Sequence, residues 1–203
     1  MPVNYAVHAQ VVDIRQDKPT STDAFLIDTN VWFWIAYPKG GGLPHQTRHY
    51  PSFVSQAIRA KAKLHRCELS LSELAHLIEK TDRVIYERAN GVTISTKEYR
   101  HNELAERRNV AAEVQAAWGQ IKTMAGSLPV MVDEPAANAA LSVFGSQLLD
   151  GYDLFILQAA SKAGIVQVLT DDGDYCTVPG IQVFTANSNV IAAAQAQGKL
   201  LVR

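Results

Sequence analysis

Apolar residues run together in Phe25-Leu26-Ile27, stop at a single acid, Asp28, and resume in Val31-Trp32-Phe33-Trp34. A short continuous apolar run bounded in this way reads as a buried strand, and the run after the acid has helical character. The alternation of Tyr5, Val7, Ala9 and Val11 with Ala6, His8 and Gln10 predicts an earlier strand. Further along, the pattern predicts a helix opened by Pro51 and reaching Leu64, a short strand over 67–71 and a helix over 72–80. A long charge-rich segment from Lys97 to about Met124 reads as one helix or two, ended near Gly126. A strand over 129–132 follows, then helices over 136–149 and 152–163, the second stopped at Gly164 as a C-terminal cap would stop it. Strands over 165–169 and 180–184 and a helix over 188–197 complete the chain. Strands alternating with helices predict an α/β fold whose central, mainly parallel sheet is flanked by helices on both faces.

Two stretches cannot continue regular structure. Lys18-Pro19-Thr20-Ser21-Thr22 reads as a linker, setting off an amino-terminal arm (1–22) that adds to a sheet edge or a partner. The remaining domain, 23–203, then carries an extended helical region at about 81–128. Pro38-Lys39-Gly40-Gly41-Gly42-Leu43-Pro44 is a loop, because successive glycines are floppy and proline blocks a helix interior.

Composition narrows the function classes. With 203 residues, 47% of them apolar, the chain can bury a sizeable single core. A formal net charge of -1 excludes nucleic-acid binding through bulk electrostatics alone and leaves room for a local basic patch. Arg59, Lys61, Lys63, His65 and Arg66 are the expected polar face of the 51–64 helix and its end, and Arg59, Lys61, Lys63 and Arg66 are candidate phosphate contacts. Cys67 and Cys176 stand alone, which predicts reduced thiols and excludes a thiolate zinc site. The amino terminus lacks a signal-peptide pattern, and no segment approaches the roughly 20 apolar residues of a bilayer span. A cytoplasmic location is the expectation.

Acids mark four junctions. Asp28 and Asp172 each follow an apolar run, so both would emerge at the carboxyl edge of the sheet, where α/β folds place their ligand crevice. Glu73 and Asp153 sit in first turns of helices, where Ser70-x-x-Glu73 and Asp150-x-x-Asp153 also have the spacing of capping boxes. Asp28 alone would equally serve as a helix cap. Four carboxylates brought together repel unless some hold protons or a divalent cation neutralises them, and oxygen-only ligands favour magnesium or manganese over zinc. Such an ion activates water and steadies an attacked phosphodiester.

The segment Leu26-Ile27-Asp28-Thr29-Asn30-Val31 resembles the opening motif of PIN-domain nucleases, and Ser72-Glu73-Leu74 resembles their second. Asp153 to Ala160 and Leu169-Thr170-Asp171-Asp172-Gly173-Asp174-Tyr175 resemble the third and last, in the family's order. The resemblance implies a magnesium- or manganese-dependent ribonuclease and often the toxin of a VapC-type pair, with RNA, an antitoxin protein and a homodimeric partner. Carried over by position, Asp28, Glu73, Asp153 and Asp172 are the catalytic and metal-binding acids, Asp174 is an accessory metal ligand, and Asn30 and Thr170 position the site. The chain exceeds the compact toxins in its amino-terminal arm and between Lys80 and Pro129. A PIN-like module that binds RNA or protein without cutting is the alternative, and a phosphohydrolase acting on nucleotides or DNA is a third.

Other spacings carry less. Glu73-x-x-His76 and Glu98-x-x-His101 match the Glu-x-x-His of di-iron bundles, which have no place for the predicted strands. His45-x-x-x-His49 lacks the glutamate of a zinc-protease helix. Of Trp32 and Trp34, only one can face a core if their segment is helical, and an exposed one could stack on RNA, as Arg100, His101, Arg107 and Arg108 could grip it.

Overall fold

The computed structural model describes residues 3–203, so Met1 and Pro2 of the expected arm lie outside it. Six strands form one all-parallel sheet in the order β1-β6-β5-β2-β3-β4. They are β1 (Gln10–Asp13), β2 (Ala24–Ile27), β3 (Lys63–Cys67), β4 (Gly126–Leu128), β5 (Gln167–Leu169) and β6 (Gln182–Thr185). The helices are α1 (Thr29–Ala36), α2 (Pro44–Arg59), α3 (Ser70–Asn90), α4 (Thr96–Asn102), α5 (Leu104–Met124), α6 (Glu134–Val143), α7 (Gly151–Lys162) and α8 (Ser188–Ala196).

The period of two in the strands decides which face each residue serves. Phe25, Ile27, Leu169 and Phe184 point into one core with α1 through α5, whereas Leu26, Val168 and Val183 point into the other with α6, α7 and α8. Phe25 meets Phe184 and Phe53 edge-on at centroid distances of 4.9 and 5.5 Å, an arrangement that favours aromatic pairs beyond their buried area. Truncating Phe25 to alanine would cost roughly 3–5 kcal/mol. Helices thus cover both faces, as the pattern predicts.

Several boundaries differ from the sequence reading, each for a local reason. The helix expected from Pro51 to Leu64 begins earlier, with Pro44 in its first turn, and ends at Arg59, where Lys61 adopts φ 61. Residues 63–67 are then a strand, hidden in the sequence because Lys63, His65 and Arg66 put polar groups on a segment paired on both sides by β2 and β4. The strand expected over 67–71 is therefore displaced, and helix α3 already starts at Ser70. Lys61, Lys63 and Arg66 consequently do not share a helix face with Arg59. The strand expected over 129–132 is instead 126–128, and the helix expected to run to Leu149 stops at Val143. Glu103 divides the long charged segment into α4 and α5.

The amino-terminal stretch supplies the edge strand β1, paired in parallel with β6, and Leu201 donates back to Val11 across a 2.7 Å backbone bond. Arg203 clamps this edge, donating to Asp17 at 2.8 Å and Asp23 at 2.6 Å while its guanidinium lies over the Phe184 ring. On the opposite flank, the buried Glu79 of α3 accepts from Arg100 of α4 and Arg107 of α5, tying the helical extension to the domain. Two of the cations considered for RNA are thus engaged internally. Glu98 closes a capping box with Ser95, which accounts for one Glu-x-x-His spacing. Trp32 is fully buried, and Trp34, half-buried, packs against the same core beside Tyr50, so both contact it and not one alone. Among the described residues no helix is long and apolar enough to cross a membrane.

Candidate functional site

All strands being parallel, β2, β3 and β5 end at one edge of the sheet. Asp28 follows β2, Thr170 and Asp172 follow β5, and α3 leaves β3 with Glu73 in its first turn. Helix α7 runs back toward the start of β5, so its first turn, carrying Asp153, lies at the same edge. Topology alone therefore brings four acids from distant segments to one place.

Asp28 and Thr170 form the centre. The Thr170 hydroxyl donates to Asp28 Oδ2 at 2.6 Å and accepts from the Asp172 backbone N–H at 2.9 Å, and it is fully buried. Asp28 also accepts from the Thr29 N–H at 2.6 Å, so it caps α1 while facing the cleft. Burial pushes the Asp28 carboxyl up to about 7, and the charges of Glu73 and Asp172 add to the rise that the Thr170 bond opposes. Asp153 is raised further, to about 9, by burial and then by Asp28, Asp150 and Glu73, against a 2.7 Å bond donated by the Tyr175 hydroxyl. Glu73 is raised by burial, with the charges of Asp150 and Asp172 adding to the rise. Asp174, exposed, is raised by burial of part of its carboxyl and by Asp172 and Asp150.

The capping alternatives resolve differently at each acid. No side chain caps α3, so Ser70 and Glu73 form no capping box. Asp150 does cap α7, accepting from the Tyr152 and Asp153 N–H groups, but Asp153 turns its carboxylate to Tyr175 instead of back to the cap. Asp172 caps the short 3-10 helix Gly173–Thr177 through the Asp174 N–H. Its neighbour Asp171 is held by α2, accepting from Tyr50 and Gln46 at 2.6 Å each, with His45 at 3.5 Å.

The donors suit a hard divalent cation: they are all oxygens, and Glu73 Oε2 and Thr29 Oγ1 are buried with no hydrogen-bond partner among the described residues. Among the described residues, no three His, Cys, Asp or Glu side chains are already arranged to hold a metal ion. The acids share one field and not yet one coordination sphere.

Residues 25–181 match the PIN domain family. The chain belongs to that family. PIN domains are in general nucleases that use divalent metals. No curated protein sequence matches the chain. Among solved structures it is similar to PAE2754 from Pyrobaculum aerophilum, at 14% identity and TM-score 0.43 over 85% of this chain and 96% of that one. It is also similar to FitAcB from Neisseria gonorrhoeae, at 16% identity and TM-score 0.41, over 80% and 98% of the two chains.

Within this PIN domain, Asp28, Glu73, Asp153, Thr170, Asp172 and Asp174 lie at one edge of the sheet. Asn30, half-buried in the first turn of α1, makes no side-chain hydrogen bond among the described residues. Arg59, Lys61 and Lys63 lie at or before the start of β3, the sheet edge opposite the acids. Arg66 is buried, pairs with Glu68 at 2.6 Å and stacks over Trp118. Three residues escaped the sequence reading. Tyr175 was visible only as the aromatic ending of the last motif, Asp150 only as a cap, and Thr29 only as the neighbour of Asp28. A hydroxyl on an aromatic three residues after an acid was the one available signal.

Proposed function

We infer that this PIN domain is a cytoplasmic endoribonuclease that hydrolyses RNA phosphodiester bonds with magnesium or manganese. The observation that supports it most is the buried Thr170 hydroxyl, which donates to the Asp28 carboxylate and accepts from the Asp172 N–H, linking the ends of the two central strands. Asp28, Glu73, Asp153 and Asp172 would hold the ion, with Asp174 as an accessory ligand. When bound, the cation would supply an activated water and neutralise charge on the attacked phosphate. The chain's own contribution is placement: Thr170 fixes the Asp28 carboxylate, Tyr175 orients Asp153, and Asn30 leaves a free amide at the rim. A toxin role, an antitoxin partner and a homodimer extend this reading through the family resemblance.

Purified protein should cleave single-stranded RNA with magnesium or manganese and not in chelator, and Asp28→Asn should abolish cleavage. An Asp28→Asn variant that cuts as well as the wild type would overturn the assignment. DNA and mononucleotides tested under the same metal condition separate a ribonuclease from a broader phosphohydrolase. The other reading is a PIN-like module that binds RNA or protein without cutting. Full biological activity of a Glu73→Gln, Asp153→Asn double variant would establish that reading in place of the first.

A further inference from the structure

Helix α7 carries more than Asp153. Beside its first turn lies a cavity of about 400 Å³ lined by Leu69, Val132, Asp150, Gly151, Tyr152 and Phe155. A second, of about 370 Å³, lies on the other side of Phe155 and reaches Met131, Gln158 and Lys162. Residues 152, 155, 158–159 and 162 recur at helical spacing, so the two cavities form one groove along a single face of α7, walled by the segment after β4. Its apolar residues stand open to solvent: Met131 is 72% exposed, Val132 58% and Tyr152 53%.

The groove's charges sit only at its ends. Asp150, at the near end, belongs also to the acidic cleft, where its charge raises Glu73, Asp153 and Asp174. Lys162, at the far end, is exposed and forms no ion pair among the described residues. Nine residues of helix separate Asp153 from Lys162, about 14 Å. A ligand lying here therefore meets one carboxylate, then two largely apolar chambers divided by an aromatic ring, then a cation. Unpaired nucleotides have that sequence of properties, with flat apolar bases to stack and a further phosphate to neutralise. A peptide helix could also fill the chambers with apolar side chains, and the partner-binding outcome of the test below separates it from RNA.

We propose that the α7 groove binds two unpaired bases of the RNA next to the scissile phosphate, stacking them against Tyr152 and Phe155, with Lys162 on the following phosphate. The proposal rests on the ribonuclease reading and names the substrate subsite of that same site. It also makes the chain selective for single strands, because paired bases cannot splay into the chambers.

The test is fluorescence anisotropy of a labelled single-stranded RNA, with calcium in place of magnesium so that binding is read without turnover. Tyr152→Ala, at an exposed position, should weaken binding roughly tenfold or more, as loss of one stacked base does. Phe155→Leu keeps the partly buried side chain apolar and should do the same, and its thermal unfolding is measured alongside. Lys162→Ala should lower the salt dependence of binding by about 0.7 in the log-log slope. RNA with two adjacent abasic sites should bind the wild type more weakly and the Tyr152→Ala, Phe155→Leu double variant no more weakly than intact RNA. Wild-type affinity in all three variants, with cleavage intact, overturns the groove and leaves the nuclease reading standing. Tight, groove-dependent binding without cleavage in magnesium or manganese does the reverse. Variants that lose a protein partner while binding RNA normally also overturn it.

Discussion

The Thr170 hydroxyl stands 2.6 Å from Asp28 Oδ2, joining residues 142 positions apart in the sequence, and the same oxygen accepts the Asp172 N–H. Thr170→Val keeps the shape and removes both bonds. The orphaned buried carboxylate and N–H should cost about 1–3 kcal/mol, read as a lower denaturation midpoint at unchanged slope. Because the Thr170 bond opposes the rise at Asp28, its loss moves that carboxyl higher still. If the site is the nuclease proposed, cleavage should fall roughly 10–100-fold, as for a positioning group behind a metal ligand, and its acidic limb should shift to higher pH.

Asp153 and Asp28 make the metal-free domain prefer acid. Both are raised in the fold, from 3.8 to about 9 and about 7, by burial and by neighbouring carboxylates. Above pH 3.8 the unfolded chain releases protons that the folded chain keeps, so stability falls as pH rises toward about 7 for Asp28 and about 9 for Asp153. Asp153→Asn should flatten the fall and raise the melting temperature at pH 9 by several degrees, each kcal/mol being worth about 2–4 °C. Magnesium should do the same for the wild type at that pH. A melting temperature that rises between pH 5 and 9 in chelator would refute the argument.

Arg203 predicts the opposite behaviour at the other end of the scale. Asp23 is buried, which alone would raise it, but the Arg203 guanidinium, the Thr20 N–H and Gln167 hold it at about 2. Its contribution is complete above pH 3.8 and is lost as pH falls through about 2. Arg203→Ala should destabilise by about 1.5–3 kcal/mol at neutral pH, and by less near pH 2, in chemical denaturation.

Glu79 fastens the helical extension. Its bonds from Arg100, with the added charge of Arg107, keep it below the usual glutamate value. The arginines are half-exposed, so Glu79→Gln should cost only about 1 kcal/mol. Hydrogen exchange should rise first in α4 and α5, with the amides of β2 and β5 unchanged.

The strands that frame the acids were legible because they are apolar on both faces, as Phe25 to Ile27 and Val168 to Leu169 show. Strand β3 was not, since Lys63, His65 and Arg66 are three polar residues in a run of five and Arg66, which reads as surface, is buried. The order of the acids was legible as spacing and motif, but convergence was a matter of topology. Glu73 and Asp153 fitted capping boxes as well as they fitted a cleft, and only the direction of their side chains separates the two. Tyr175 was illegible as a site residue because its partner Asp153 lies 22 residues away in sequence, and Asp150 because its charge reaches Glu73 and Asp174 only through the fold. The α7 groove left no signal at all, its apolar positions being indistinguishable from core.

The sheet order has a consequence for how the protein comes into being. β2 lies between β3 and β5, so the strand that carries Asp28 waits for partners made about 40 and 140 residues later. Contacts of such separation form late and slowly. An amino-terminal fragment that stops before β5 lacks Thr170 and Asp172, and a chain still being synthesised carries an incomplete cleft until both have emerged and β5 has slotted beside β2.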